Sequence, residues 1–376
     1  MSRFWNDRTR GILPYVPGEQ PEDPSAWVKI NTNENPYPPS PQVIEAISRE
    51  LSLADRHNGL HTAGGGNPSA QGEKLRLYPS ADAIPFIDAI CEQFGLRRSQ
   101  VFAGNGSDEI LAFSFMAFWD KNRPVLSPAI SYTFYPVYAN IFGVPYRAIP
   151  MKNGIEVDCD ALIAEKGGVV IANPNAPTSI ALPLDDIRRI LEAHRDDVVL
   201  VDEAYVDYGG ESAVELISEY NNLLVVRTFS KSYSLAGMRI GFAMGNSELI
   251  EGLRRVKDSF NSYTLDRLAI VAGAAAIRDR EYFEETRDLV LATRERIASE
   301  LKMLGFSMPE SSTNFLFVTH PVYSAKDIYD YLKDRKILVR HFGSAGIENH
   351  LRITIGTDEE MNKLLSALRD LIERKG

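Results

Sequence analysis

Between residues 80 and 245 the chain alternates short apolar runs with helical patterns. The runs are rich in Val, Ile and Leu, as in strands that are buried on both faces of a sheet. Seven runs have this character: 101–104, 123–127, 144–150, 168–173, 198–204, 223–229 and 240–245. Amphipathic helical patterns, such as those of 108–119 and 184–194, separate several of them. The alternation predicts an α/β domain with a mostly parallel, seven-stranded sheet flanked by helices.

The remaining segments predict a smaller unit beside this large domain. The proline-rich residues 1–45 are expected to form an N-terminal arm and the start of the small domain. Residues 52–76 hold five glycines, a density typical of a loop. The large domain is then predicted over 77–258. Long helical patterns and short strand candidates over 259–376 predict a small α+β domain at the C-terminus.

Charge and cysteine usage exclude several classes of protein. The chain has 41 Lys and Arg against 51 Asp and Glu, a formal net charge of −10. This is the opposite of the basic surface that nucleic-acid-binding proteins present. No run approaches the roughly 18 apolar residues of a membrane helix, and the N-terminus lacks the apolar stretch of a secretory signal. Cys91 and Cys159 lack metal-ligand spacing. We therefore expect a cytoplasmic protein that binds no nucleic acid, membrane or metal.

The stretch TFSKSYSLAGMRIG, residues 228–241, carries the densest chemistry in the sequence. Lys231 follows a predicted strand and is flanked by serines, and Arg239 comes eight residues later. A lysine amine can form a Schiff base with an aldehyde, while hydroxyl groups and an arginine can bind a phosphate. Pyridoxal phosphate carries both groups. A Ser-Lys pair alone is more often part of an ordinary surface loop, so this stretch does not decide the function.

Three further segments lie at the ends of predicted strands, where ligands of α/β sheets bind. Asp202 ends one strand and can pair with a protonated pyridine nitrogen, and Tyr205 can hydrogen-bond the phenolic oxygen of the same ring. The turn GNGSDE at 104–109 opens a predicted helix whose N–H groups can face an anion. The turn NPNAPT at 173–178 can supply an Asn to the ring oxygen.

Together these motifs resemble those of the fold-type I pyridoxal-phosphate aminotransferases, and more narrowly those of the histidinol-phosphate aminotransferase family. Their order and spacing extend over roughly nine-tenths of the chain. The matching segments are LPYVPG (13–18), NENPYPPSP (33–41), LYP (77–79), GNGSDEI (104–110), NPNAPT (173–178), DEAY (202–205), SKSYSLAGMRIG (230–241), ILVR (337–340) and LRITIG (351–356). The resemblance implies the fold-type I transferase fold and pyridoxal 5′-phosphate as cofactor.

The resemblance also implies roles for single residues around the cofactor. Lys231 would form the Schiff base and shuttle a proton, Asp202 would pair with the pyridine nitrogen, and Tyr205 would bind the phenolic oxygen. Tyr132 would stack on the face of the ring. Five residues would hold the phosphate: Ser107, Asp108, Thr228, Ser230 and Arg239.

In the family a tyrosine that corresponds to Tyr78 reaches the phosphate from the other subunit, which implies a homodimer with shared active sites. Arg352 would bind the carboxylate of the substrate. Arg340 and Tyr15 would line the pocket for its distal or phosphate end, and Asn35 would lie close by.

Two segments depart from the family pattern. The family usually reads N-P-T-G, with that Asn on the ring oxygen, whereas Ala176 occupies the position here. We assign the role to Asn175, with Asn173 as the alternative. The glycine-rich segment 52–76, with His57 and His61, is longer than usual. It is either a plain insertion or a lid that contributes to substrate selection.

The resemblance implies a ping-pong transamination, with glutamate as amino donor and imidazole acetol phosphate as the keto acceptor. Threonine-phosphate decarboxylation and transamination of aromatic or other amino acids remain alternatives, because the bond that breaks depends on a geometry that the sequence does not show. A non-catalytic binding protein of the same fold would be expected to lack Lys231 or Asp202, and both are present.

Overall fold

The computed structural model describes residues 3–12, 14–15, 17–52 and 72–373. Most of the segment 52–76, with His57 and His61, lies outside the described residues; Ser52 is the last residue of a helix, and Glu73–Arg76 form a short 3₁₀ turn. The strands, β1 to β12, are Val28–Lys29, Val101–Asn105, Val125–Pro128, Tyr146–Ile149, Gly168–Ala172, Val199–Asp202, Leu223–Thr228, Ile240–Gly245, Phe315–Val318, Ile337–Leu338, Arg340–His341 and Leu351–Thr354. The helices, α1 to α12, are Asp7–Gly11, Pro41–Ser52, Ile84–Phe94, Gly106–Phe118, Phe134–Phe142, Cys159–Ala164, Leu184–Ala193, Ser247–Phe260, Arg267–Arg278, Arg280–Met303, Ala325–Asp334 and Asp358–Glu373.

Seven strands form the large sheet, in the order β2-β8-β7-β6-β5-β3-β4. Only β8 runs antiparallel to its neighbours, so the predicted mostly parallel, seven-stranded sheet is confirmed. The carboxyl ends of β2, β5, β6 and β7 consequently lie at one edge. Each of the seven predicted strands corresponds to one of these seven.

Both faces of the sheet are buried, which explains the continuous apolar runs. In β6, Val199 and Val201 enter one hydrophobic cluster and Leu200 enters another on the opposite face. Leu223 and Leu224 of β7 divide in the same way. Because side chains alternate along a strand, Asp202 points to the same face as Leu200. A carboxyl group thus ends a strand whose other residues form the core.

The small domain is built on a three-stranded antiparallel sheet of order β11-β12-β9. β1 from the N-terminal arm pairs in parallel with β10, so the arm forms part of this domain. Helices α10, α11 and α12 cover the sheets with apolar residues such as Ile297, Ile328 and Leu368.

The domain boundary differs from the prediction. Residues 259–376 were expected to form the small domain, yet α9 packs against α2 and α3 beside the large sheet. Ala269, Ile270 and Ile277 of α9, and Phe283 after it, belong to the core of the large domain. The apolar side chains of α9 are therefore buried with those of α2 and α3 in the core of the large domain.

Among the described residues, no helix combines the length and the apolar character that crossing a bilayer requires. The same part of the chain holds no group of three or more His, Cys, Asp or Glu side chains arranged to hold a metal ion.

Candidate active site

Two adjoining cavities lie at the carboxyl edge of the large sheet. The sheet-edge cavity has a volume of about 180 Å³ and is lined by residues that follow β2, β6 and β7. The interdomain cavity, of about 320 Å³, lies between the large domain and the segment 340–352 of the small domain. Five residues line both cavities: Thr32, Tyr132, Ala176, Tyr205 and Lys231.

Lys231 lies where the two cavities meet, in the turn that follows β7. Its half-buried amine donates a hydrogen bond to the carbonyl oxygen of Thr32, at 3.2 Å. The hydroxyl of Thr32 donates to Glu34 at 2.5 Å and accepts from Lys29 at 2.6 Å. The segment 29–34 therefore holds the lysine amine in place, although the sequence had suggested no role for Thr32.

Asp202 is buried at the carboxyl end of β6 and lines the sheet-edge cavity. Its carboxylate accepts hydrogen bonds from the Tyr135 hydroxyl (2.9 Å) and the Ala204 amide (3.2 Å). Burial raises the pKa of Asp202 to about 6, because no Lys or Arg in the described part of the chain compensates its charge. Tyr135 is a site residue that the sequence analysis missed, although it lies only three residues after Tyr132.

Tyr205 projects into both cavities, and its hydroxyl accepts a hydrogen bond from Asn33 Nδ2 at 2.8 Å. Asn33 is itself anchored, because its Oδ1 accepts from the Thr354 hydroxyl (2.9 Å) and its carbonyl accepts from Asn314 Nδ2 (3.0 Å). Since Tyr205 accepts from Asn33, its own hydrogen is free to donate toward the cavity.

The first turn of α4 forms the end wall of the sheet-edge cavity, through Ser107 and Asp108. Asn105, the residue before the helix, makes no side-chain cap, so the first amides face the cavity without that partner. A Cβ on Gly241 would meet the nitrogen of Ser107 at 2.5 Å, so only glycine allows β8 to approach this closely.

Hydroxyl groups and a guanidinium complete this wall. Arg239 donates to Asp108 Oδ2 at 3.1 Å and approaches the Ser230 hydroxyl at 3.4 Å. Thr228 Oγ1 lies 3.0 Å from Ser230 Oγ. Tyr132 closes the side of the cavity and donates to the other oxygen of Asp108 at 2.9 Å. The five residues predicted to hold a phosphate are thus brought together with Tyr132.

The assignment of Asn175 is not supported by the geometry. Asn175 Nδ2 donates to the Ile130 carbonyl and to Thr178 Oγ1, both at 2.9 Å, and its Oδ1 accepts from Ser131. Asn173, the alternative, is bonded in both directions to the backbone of Leu182. The side-chain amides of Asn173 and Asn175 are therefore bonded to other groups of the protein, and Ala176 forms the cavity wall instead.

Two other predicted residues lie away from the cavities of this chain. Asn35 donates to the carbonyl of Ser232 at 3.2 Å, so it supports the turn that carries Lys231, whereas Asn33 lines the cavity. Tyr78 is 77% exposed and stacks on Tyr263, with ring centroids 4.5 Å apart. Within one chain, Tyr78 therefore contributes nothing to either cavity.

Arg340 and Arg352 face each other as register partners on β11 and β12, and both line the interdomain cavity. Neither forms an ion pair with a carboxylate in the described part of the chain. Arg352 donates to the Asn31 carbonyl at 2.9 Å, while its Nε is buried without a partner. Burial lowers the pKa of Arg352, and the charge of Arg340 acts in the same direction. Like charges directly opposite each other destabilise a sheet, so the pair is suited to binding anions.

Aromatic rings form the opposite wall of the interdomain cavity. Tyr15, from the N-terminal arm, lies with its ring centroid 4.3 Å from that of Phe134. Tyr132 also contacts Phe134, at 5.6 Å. Tyr15 and Tyr132 both line the interdomain cavity, and their roles there remain predictions.

The buried Asp202 and the nearby Lys231, both at the carboxyl edge of a mostly parallel sheet, indicate the class to which the chain belongs. The family model described as aminotransferase class I and II matches residues 25–368, and the chain belongs to that class. The predicted fold class is thus confirmed.

Within this class, the chain is 50% identical to the histidinol-phosphate aminotransferase of Clostridium acetobutylicum over 372 residues, covering 99% of this chain and 100% of the relative. It is 49% identical to that of Chromohalobacter salexigens, covering 98% of this chain and 99% of the relative. The chain belongs to the histidinol-phosphate aminotransferase family, as the motifs predicted. The fold matches the crystal structure of the Sinorhizobium meliloti histidinol-phosphate aminotransferase in complex with pyridoxal-5′-phosphate, with a TM-score of 0.84, 23% identity and coverage of 100% and 99% of the two chains.

Proposed function

We propose that this chain is a pyridoxal-phosphate-dependent aminotransferase that moves an amino group from glutamate to imidazole acetol phosphate. The observation that carries the proposal is the position of Lys231 between a cavity that ends in Asp202 and a cavity that ends in two arginines, neither of which pairs with a carboxylate of the described residues. The names of relatives that are about half identical over their full length support the choice of substrate.

The sheet-edge cavity fits the cofactor in its chemistry. The buried carboxylate of Asp202, which pairs with no Lys or Arg of the described residues, can bind the protonated ring nitrogen. The hydroxyl of Tyr205 can donate its free hydrogen to the phenolic oxygen. Tyr132 would lie against the ring face. The phosphate would be held at the wall formed by five residues: Ser107, Asp108, Thr228, Ser230 and Arg239. When bound, the cofactor supplies an electron sink that stabilises negative charge on the substrate carbon.

The residues of the chain would then position and move protons. Ionised Asp202 would keep a proton on the ring nitrogen, since a buried carboxylate and a cation stabilise each other. The Lys231 amine, which reaches both cavities, would accept the proton from the substrate Cα and then donate it to the cofactor. The carbonyl of Thr32 would aim that amine.

The two arginines set the class of substrate. A planar guanidinium binds a carboxylate by two parallel hydrogen bonds, and Arg352 has an unpaired Nε available for this. Arg340 would bind the second anion, the distal carboxylate of glutamate or the phosphate of the acceptor. A ligand that brings negative charge to both arginines would relieve the cross-strand repulsion between them.

We also propose a homodimer with shared active sites. Several exposed apolar side chains are found near Tyr78: Leu75 and Leu77 precede it in the chain, and Tyr263, which stacks on it, follows the exposed Phe260 by three residues. A patch of this kind is typical of an interface. Tyr78 would reach the phosphate of the partner's site from this surface. We further propose a cytoplasmic location, supported by the two free thiols Cys91 and Cys159.

Reduction with borohydride tests the cofactor assignment. The purified protein should become labelled on Lys231, as mapped by mass spectrometry, and Lys231→Ala should carry no label. The same protein should transfer the amino group of histidinol phosphate to 2-oxoglutarate, with a loss of at least about 10²–10⁴-fold in Lys231→Ala. Release of CO₂ from threonine phosphate would favour decarboxylation, and a label on another lysine would contradict the assignment.

Subunit mixing tests the shared site. Lys231→Ala and Tyr78→Phe homodimers should each be impaired. After exchange of subunits, heterodimers should contain one site with both residues intact and regain activity. The control is exchange between two Lys231→Ala preparations, which should recover nothing. Absence of recovery after confirmed exchange would count against sharing.

A further inference from the structure

Phe342 lies directly after β11, on the same side of the strand as Arg340, because residues two apart share a face. Its ring centroid is 5.9 Å from Arg340 Cζ and 5.8 Å from Arg352 Cζ. One aromatic ring therefore contacts both arginines of the interdomain cavity. None of the motifs in the sequence had singled this residue out.

The ring is itself held in place. Phe342 packs edge-to-face on the buried Phe317, with centroids 6.2 Å apart. Phe317 is the register partner of Arg352 on β9, so the ring is anchored to the same sheet as the guanidinium that it contacts. The loop after it is closed by a contact of 2.9 Å between His341 Nε2 and the carbonyl of Glu348.

The two arginines need such a partner when no anion is bound. They are direct cross-strand neighbours of like charge, and a second aromatic ring, Phe315, contacts only Arg352, at 5.3 Å. The face of an aromatic ring attracts a cation and leaves the hydrogen-bond donors at the edge of the guanidinium free. Contact with Phe342 can thus hold both guanidinium groups without occupying their donors.

We propose that Phe342 is a positioning residue that fixes the separation of the two anion-binding arginines and so selects substrates with an anion at each end. It acts through Arg340 and Arg352. The inference depends on the proposed function for the identity of the substrates, but the arrangement of the three side chains is independent of it.

The test compares holoenzyme variants of Phe342 in binding and in turnover. Phe342→Leu keeps the apolar bulk but removes the ring, Phe342→Tyr keeps the ring, and Phe306→Leu is the control, since Phe306 belongs to the core of the same domain. The dissociation constant of glutarate, a dicarboxylate that cannot react, is measured by calorimetry. KM and kcat are measured with histidinol phosphate.

Phe342→Leu should weaken glutarate binding and raise KM by roughly 5- to 30-fold, with a smaller change in kcat, as expected for loss of desolvated cation–π contacts. Phe342→Tyr should stay close to the wild type. The proposal is overturned if Phe342→Leu binds glutarate as the wild type does, if Phe306→Leu shows an equal loss, or if the wild type binds no glutarate. A wild type that binds glutarate but does not turn over histidinol phosphate would refute the proposed function, and the Phe342 comparison would still be decided by glutarate.

Discussion

The wall of the site on the large sheet and the wall on the small domain differ in whether their charged side chains form ion pairs. Behind the Lys231 turn, on the large sheet, charged groups are paired: buried Arg227 donates to Glu203 at 2.9 Å and to Asp207 at 3.2 Å. Asp207 in turn accepts from the hydroxyl of Ser232 at 2.6 Å. On the small domain, Arg340 and Arg352 face each other with no carboxylate from the described part of the chain.

This difference distinguishes charged groups that stabilise the fold from charged groups that are available to bind a ligand. Burying a charge is costly unless it is paired, so the network behind Lys231 stabilises the turn that carries the lysine. The arginine pair has no such carboxylate partner among the described residues, and we propose that the substrate supplies the negative charge. Stability is therefore expected to depend on the first group of charges, and substrate affinity on the second.

The largest effect, on the free energy of unfolding, is expected when one arginine of each wall is replaced by methionine. Arg227→Met leaves the buried Glu203 and the half-buried Asp207 without this cation and should lower the free energy of unfolding by about 3–5 kcal/mol. Arg352→Met removes an uncompensated charge and should leave that free energy unchanged or raised. Urea unfolding of both variants without cofactor measures the difference. Equal destabilisation by the two variants would contradict the comparison.

Arg352→Lys probes the substrate side without removing the charge. Lysine cannot form two parallel hydrogen bonds, so kcat/KM for glutamate should fall by an amount equivalent to about 2–5 kcal/mol. The absorbance of the bound cofactor should not change. Arg335→Lys, an exposed arginine that stacks on Tyr331 in the same domain, serves as the control. Unchanged turnover of glutamate in Arg352→Lys would show that another group binds the carboxylate.

Asp202 is the exception on the large-domain side, because it is buried without a cation. Burial raises its pKa from 3.8 to about 6, so between these values the folded protein binds more protons than the unfolded chain. The stability of the cofactor-free protein should therefore fall, relative to Asp202→Asn, as pH rises from about 4 to about 6, and then level off. The total is on the order of 2–3 kcal/mol.

Unfolding of both proteins at several pH values measures this difference, and a parallel pH dependence of the two would refute it. Added cofactor should reduce the loss in the wild type, because a protonated ring nitrogen favours the ionised carboxylate.

The smallest effect concerns Asn175, whose amide is bonded to Ile130, Ser131 and Thr178. Asn175→Ala should cost about 1–2 kcal/mol of stability, because the partners of the amide lose their hydrogen bonds. Cofactor affinity, measured by fluorescence titration, should stay within about twofold of the wild type. A large loss of cofactor affinity with unchanged stability would restore the role that the sequence suggested for this residue.

Much of the fold and part of the site could be predicted because the signals are local. Apolar runs such as 198–204 are buried on both faces of one sheet, and the position of Asp202 at a strand end follows from chain order alone. Lys231, Arg239 and Ser107 belong to turns whose residue types already indicate anion or aldehyde binding. The placement of α9 was missed because an amphipathic pattern shows that a face is buried but not against which sheet.

The sequence by itself determined the fold class, the lysine, the acid and the phosphate-binding turns, because each depends on residues that are close along the chain. Only the tertiary structure decided that Asn33 and not Asn35 reaches Tyr205, that Tyr135 holds Asp202, and that neither Asn173 nor Asn175 lines the sheet-edge cavity. It alone brought Phe342 over two arginines on paired strands. The physical reason is that these contacts depend on strand register and on the packing of one domain against the other, and neither is recorded in local residue patterns.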